Sequence, residues 1–113
     1  MRDQFHDELD SVSATLVQMA GLVKVAMTNA TTALLTADLA MAEKVIQEDA
    51  VIDEIQHDLD ARTINLMARQ QPVASDLRTL VTSLRMSADL ERMGDLAHHI
   101  AKAARMRFPG TAV

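Results

Sequence analysis

Apolar residues recur along the first third of the chain at Phe5, Leu9, Val12, Leu16, Met19, Val23, Ala26, Ala30 and Leu34. Steps of four and three are the period of one helix face. The pattern predicts a first helix of about 30 residues, roughly 45 Å long. It breaks at Thr36, Ala37 and Asp38, where Asp38 can accept hydrogen bonds from the free N–H groups of a following helix. A second run through Leu39, Ala42, Val45, Ile52, Leu59 and Leu66 reaches Gln70, and Gln71-Pro72 then pushes the backbone out of the helical region. Pro72 is tolerated in a first turn, and Leu77, Val81, Leu84, Ala88, Ile100 and Ala104 carry a third helix to Arg107, ended by Phe108-Pro109-Gly110. The predicted helices cover 3–36, 39–70 and 73–107. Two short connections force neighbours to run antiparallel, so the expected fold is all-α, an up-down-up three-helix bundle. Residues 1–108 form the bundle in this reading. The tail 109–113 has the composition of a linker, so the polypeptide is expected to continue.

Composition supports this picture and narrows it. Apolar residues make up 49% of 113 residues, while three Gly and two Pro leave little material for turns or strands. With two Phe as the sole aromatics and eight Met, the core must be filled by slender aliphatic and thioether side chains, giving a thin, elongated bundle. The net charge of −5 with mixed signs lacks the basic footprint that nucleic acid or an anionic membrane requires. No Cys is present, which removes thiolate catalysis, zinc-thiolate sites and disulfides. The start of the chain does not have the profile of a signal peptide, and no apolar run approaches eighteen residues, so a cytoplasmic location is expected.

Candidate chemistry lies where the stripes carry acids. Asp49 falls on the second helix four after Val45 and three before Ile52, with Asp53 one turn on. On the third helix the stripe Leu77, Val81, Leu84, Ala88 runs into Glu91, Asp95 and His98. If the hairpin folds about Pro72, residues whose numbers total about 144 share a height. Asp49 with Asp95 and Asp53 with Glu91 both meet that condition, so four carboxylates fall at one level. Like charges so gathered disfavour ionisation unless protons are kept or a cation neutralises them. An all-oxygen cluster suits a hard cation such as magnesium, manganese or iron. The alternative is that these acids sit solvated on the rim of the stripe.

Other features point less sharply to chemistry. Glu54 with His57 and Asp95 with His98 have the Glu-x-x-His type of spacing, but the two histidines miss each other by roughly 16 Å along the axis, so both are expected at the surface. Of the neighbours His98 and His99, one is expected inward and one solvated. Arg78, Arg85, Arg92 and His99 recur every seventh residue as a solvated basic line, with an interaction surface as the alternative. No phosphate loop, paired nucleophile or dinucleotide fingerprint occurs, so no enzyme is expected.

The run Asp89-Leu90-Glu91-Arg92-Met93-Gly94-Asp95-Leu96-Ala97-His98-His99-Ile100-Ala101 resembles the signature of the PhoU family, regulators of bacterial phosphate transport. Gln71 through Arg78 is similar to the segment that opens the following helix in that family, and Ala40 through Asp53 to its second helix. Family members usually hold two three-helix repeats in tandem, and this chain resembles the first. The resemblance implies metal ions, including multinuclear iron, on paired E(D)-x-x-x-D motifs, here Asp49 with Asp53 and Glu91 with Asp95. It further implies a negative regulator linking the phosphate transporter's ATPase subunit to a membrane sensor histidine kinase, with contact to the membrane only through those partners. A single repeat carries one such carboxylate site, and a homo-oligomer would mimic the missing half.

Overall fold

The computed structural model describes residues 3–111, with the side chain of Gln70 left aside. Three α-helices follow in order: α1 (Gln4–Thr36), α2 (Leu39–Gln70) and α3 (Ala74–Arg107). They pack pairwise against one another in an up-down-up bundle measuring 57 × 20 × 16 Å. The radius of gyration is 17.3 Å, against about 13 Å for a compact domain of roughly 100 residues. The expected elongation is therefore present. The readings for Met1 and Arg2 at the start and for Ala112 and Val113 in the tail lie outside the described residues.

Helix ends follow local chemistry. Asp3 caps α1, accepting from the His6 N–H at 2.8 Å, and Asp38 caps α2, accepting from the Met41 N–H at 3.0 Å. Ala37 takes the left-handed conformation (φ 55°) and its N–H bonds to the Ala33 carbonyl, so α1 closes with a left-handed cap although no glycine is there. Gln71 is left-handed too (φ 45°), and Val73 is extended, so α3 begins at Ala74 without a side-chain cap. Arg105 and Arg107 stand in its last turn, where cations complement the helix dipole.

The core falls into two clusters. One end is built mainly of leucines from all three helices: Leu9, Leu16, Leu59, Leu66 and Leu80, with Val12. The other joins Met19, Val23, Val45 and Ile52 to a set of buried alanines, among them Ala30, Ala42, Ala97 and Ala101. Between them lie buried polar side chains, Gln56 and Ser87. The stripes read for α1 and α2 match the buried residues, apart from Phe5, Leu34 and Leu39, which are half-buried.

The stripe predicted for α3 matches at Ala104 and not at its other positions. Its buried residues are Leu80, Ser83, Ser87, Gly94, Ala97, Ala101 and Ala104. Leu77 is exposed, while Val81, Leu84, Ala88 and Ile100 are half-buried on the flank. Small side chains let the α3 backbone come close to its neighbours, so the axis of contact is marked by Gly, Ala and Ser and the larger apolar residues splay to either side. At Gly94 an added Cβ would stand 3.7 Å from Cγ2 of Ile52 and 3.9 Å from Cγ2 of Val23.

Candidate metal centre

Asp49 and Asp53 lie one turn apart on α2, flanking the buried Ile52, and Asp95 follows the buried Gly94 on α3. The close approach at Gly94 is what brings the α3 carboxylate to the α2 pair. One carboxylate oxygen from each of Asp49, Asp53 and Asp95 lies within 4.8 Å of the others. Asp49 is well shielded, its side chain 13% exposed, whereas Asp95 is exposed. The cluster is thus a shallow site on the α2–α3 seam with one open side.

Glu91 does not join this group, contrary to the height argument. The hairpin pairs Asp49 with His98, which puts the common total of facing residue numbers near 147 and not 144, a shift of close to one turn. Between the two helices Gln71 is left-handed and Val73 extended, so the connection is not a turn symmetric about Pro72. Glu91 is half-buried about one turn away, and it is absent from the charges that act on Asp53. Asp95 also leaves the apolar stripe to which the sequence assigned it, because that stripe was read one phase away from the true core.

His98 is the residue that spacing undervalued. Expected at the surface together with His57, it is instead the inward member of the His98-His99 pair, with His99 and His57 exposed. Its Nδ1 donates to Oδ2 of Asp49 across 2.7 Å. Towards an ionised carboxylate, which can only accept, Nδ1 is the donor of this pair. Nε2 is buried and has no hydrogen-bond partner among the described residues. The signal that could have found His98 was its place one turn after Asp95, on the flank that faces α2.

Electrostatics agree with a crowded site. Burial, then the neighbouring charges of Asp49 and Asp95, push the Asp53 carboxyl above its ordinary value of 3.8, and His57 and His98 offset this in part. Three hard oxygen donors, one of them reluctant to ionise without a counter-charge, fit a divalent or trivalent hard cation. They would leave the rest of its coordination sphere to water or to a partner on the exposed side of Asp95. The basic line of Arg78, Arg85, Arg92 and His99 is exposed throughout, with Arg92 paired to Asp89 at 2.7 Å.

Comparison with known proteins returns one family. Residues 16–104 match the PhoU domain. The chain is 44% identical over all its 113 residues to the phosphate-specific transport system accessory protein PhoU homolog 2 of Mycobacterium tuberculosis (strain ATCC 25618 / H37Rv), covering 53% of that protein. It is 39% identical over 98 residues to the PhoU homolog of Rhizobium meliloti (strain 1021), covering 87% of this chain and 41% of the relative. The crystal structure of PhoU from Pseudomonas aeruginosa superposes with a TM-score of 0.88 at 37% identity, over 91% of this chain and 49% of that one. The chain thus spans about half the length of the relatives it matches.

Proposed function

Because this chain belongs to the PhoU family, we propose that it is a regulatory accessory of phosphate uptake that keeps phosphate-starvation signalling silent when phosphate is ample. In this reading it works by docking, without catalysis, between the ATPase subunit of a phosphate transporter and a sensor histidine kinase at the cytoplasmic side of the membrane. The relatives named above are phosphate-specific transport system accessory proteins, which supports the assignment to uptake. A hard cation, magnesium, manganese or iron, is held in the same reading by Asp49, Asp53 and Asp95, with His98 fixing the rotamer of Asp49. Glu91 would serve at most as an outer partner. The observation that carries the cation is the convergence of three carboxylate oxygens within 4.8 Å across two helices. Bound there, the cation would clamp α2 to α3 and present an electropositive point on an otherwise acidic seam.

The test has two arms. In cells lacking this coding region, a phosphate-starvation reporter in phosphate-rich medium is expected to be derepressed, and the unaltered chain to restore silence. A reporter that stays silent on deletion would sink the regulator reading. Separately, thermal melting of the purified chain is expected to shift upward with Mn²⁺ relative to chelator, by an amount set by RT ln(1 + [L]/Kd), about 2.7 kcal/mol at a hundredfold excess over Kd. Asp49→Asn with Asp95→Asn should abolish the shift and Glu91→Gln should keep it. An identical midpoint with every hard cation tried would remove the metal from the account and leave the regulator reading standing.

A further inference from the structure

The seam between α1 and α3 is unlike those that α2 makes. His6 stands beside Asp76 and Val23 beside Gly94, so the two helices run in one direction with Lys24 level with Met93. A groove of about 520 Å³ opens along the seam, floored by the buried Leu16 and Ser83 and edged by Val17, Ala20, Thr82 and Met86. Val17 is 73% exposed, and Met86 and Met93 on the facing helix are close to half exposed. The charges here are unbalanced. Elsewhere Arg62 and Arg69 are each paired with a carboxylate, but among the described residues Arg78, Arg85 and Lys24 have no ion-pair partner. Arg78 lines the groove, Arg85 adjoins Met86 on its outer rim, and Lys24 stands on the α1 wall. From Ser11 to Ala37 α1 contributes no acid, and the carboxylate on the α3 rim, Asp89, is held by Arg92 at 2.7 Å. By contrast α2 carries seven acidic and three basic residues, in a chain of net charge −5.

We propose that this groove is the docking site for an acidic amphipathic helix of a partner protein. Thr79, Thr82, Met86, Asp89, Met93 and Leu96 follow one another in steps of three and four, the spacing of a seam that receives a second helix. Arg78, Arg85 and Arg92 each precede a first position of that repeat, the place from which charged side chains select the charge of an incoming helix. The occupant therefore carries apolar residues on the face toward Val17 and Met86. Its carboxylates stand seven residues apart on the edge toward Arg78 and Arg85, with one more opposite Lys24. Ser13 and Ala20 on the α1 wall are small, so the incoming backbone can settle between the two helices. Thr79 to Leu96 spans roughly 26 Å, the length of a helix of about 18 residues. On the order of 1,100 Å² buried over both partners is the lower end for specific contacts and suits an association that is readily reversed. The proposal stands on the groove and its charges, apart from the cation and from the regulatory reading.

A membrane surface is the rival occupant. Basic residues beside exposed methionines also suit anionic headgroups, and α1 is by length and composition able to cross a membrane. Shape favours the helix. Leu16 and Ser83 on the floor lie below both rims, within reach of side chains from a rod that fits between α1 and α3, whereas a flat lipid surface meets the rims alone. Asp89 would also have to enter that surface with the stripe, against headgroups that repel it.

The probe is a fluorescein-labelled synthetic helix of about three heptads, with Leu and Ala at the seam positions and Glu at the flanking ones. A twin carries Lys in place of every Glu. Fluorescence anisotropy should give the Glu helix a Kd on the order of 10 µM at low salt, weakening about tenfold at high salt, and the Lys helix should not bind. Arg78→Glu with Arg85→Glu changes two exposed positions. With unchanged helical circular dichroism, that variant should lose the Glu helix and gain the Lys helix. Met86→Gln with Met93→Gln should weaken the Glu helix about tenfold while leaving every charge in place. Absence of Glu-helix binding overturns the proposal, and so does binding that the charge reversal leaves unchanged. Flotation with phosphatidylglycerol vesicles by the parent chain, and not by the charge-reversed one, would assign the groove to lipid. A mass near twice 12.4 kDa with the Glu helix unbound would assign it to a second copy. Either result equally overturns it.

Discussion

At the scale of single residues, Asp53 holds a charge that the folded chain disfavours. Burial and the charges of Asp49 and Asp95 raise its pKa, so its ionisation at neutral pH works against the bundle whenever no cation is near. Asp53→Asn removes that repulsion at nearly constant shape. In chelator the variant is expected to melt a few degrees above the parent chain, and in Mn²⁺ the order should reverse, a crossing that calorimetry in the two buffers would reveal. Parallel losses in both would show that Asp53 is an ordinary structural residue. His6 works in the opposite sense. Its ring lies 2.9 Å from Asp3 and 3.2 Å from Asp76, and hydrogen bonding to Asp3 leads the causes that raise its pKa above 6.5. Both ring nitrogens can donate to these carboxylates when the imidazole is charged. The folded pKa exceeds the unfolded one, so this contribution is complete below 6.5 and is lost as pH rises through the raised value. The urea midpoint should therefore drop as pH rises from 6.5 through the raised value, and His6→Gln should flatten that part of the profile.

At the scale of the helix, α1 and α2 were legible and α3 was read in the wrong phase, and the difference has a physical cause. A stripe such as Leu9, Val12, Leu16, Met19 and Val23 announces itself because its positions are large and apolar, and large apolar residues are what α1 buries. On α3 the buried line is Ser83, Ser87, Gly94, Ala97 and Ala101, residues whose hydrophobicity is weak and whose value is smallness. A reading that follows bulk picks out Leu77, Val81 and Leu84 on the flank instead. The same error placed Asp95 in the core, whereas Glu91 was set beside Asp53 by taking the hairpin to turn symmetrically about Pro72. The pairing of Asp49, Asp53 and Asp95 survived it because a two-helix seam forgives a shift of one turn for residues repeated one turn apart. The close packing of α3 can be tested at two sites. Gly94→Ala puts a methyl group at ordinary contact distance from Ile52 and Val23 and removes a mid-helix glycine, so a gain approaching 1 kcal/mol is expected in urea unfolding. Gly94→Leu should cost about 1–3 kcal/mol and also weaken cation binding, since it must lift Asp95 away from α2. Ser87 is fully buried and its hydroxyl has no partner among the described residues. Ser87→Ala is accordingly expected to stabilise the chain by about 1 kcal/mol.

At the scale of the whole molecule, the two ends of the bundle are built from different material. The end containing Leu59, Leu66 and Leu80 buries large side chains, each contributing about 1.5–3 kcal/mol of apolar transfer. At the other end many of the buried positions are alanines, which pack closely but withdraw far less apolar surface per residue. In a molecule 57 Å long and 16 Å thick, with Gln56 and Ser87 between the two clusters, the ends need not open together. The alanine-rich end should therefore have the lower opening free energy, and the carboxylate seam lies beside that end, next to Ile52 and Gly94. A cation there would act as a local clamp, adding stability where the core supplies least. This predicts an asymmetric amide-exchange pattern. Without cation, amides around Ala42 and Val45 on α2 and around Ala101 and Ala104 on α3 should exchange faster than those around Leu59 and Leu80. Addition of Mg²⁺, which is diamagnetic and leaves the spectra interpretable, should slow the first group and leave the second nearly unchanged. Uniform protection along all three helices would mean that the bundle opens as a single unit, and the clamp would then stabilise the molecule as a whole and not its weaker end.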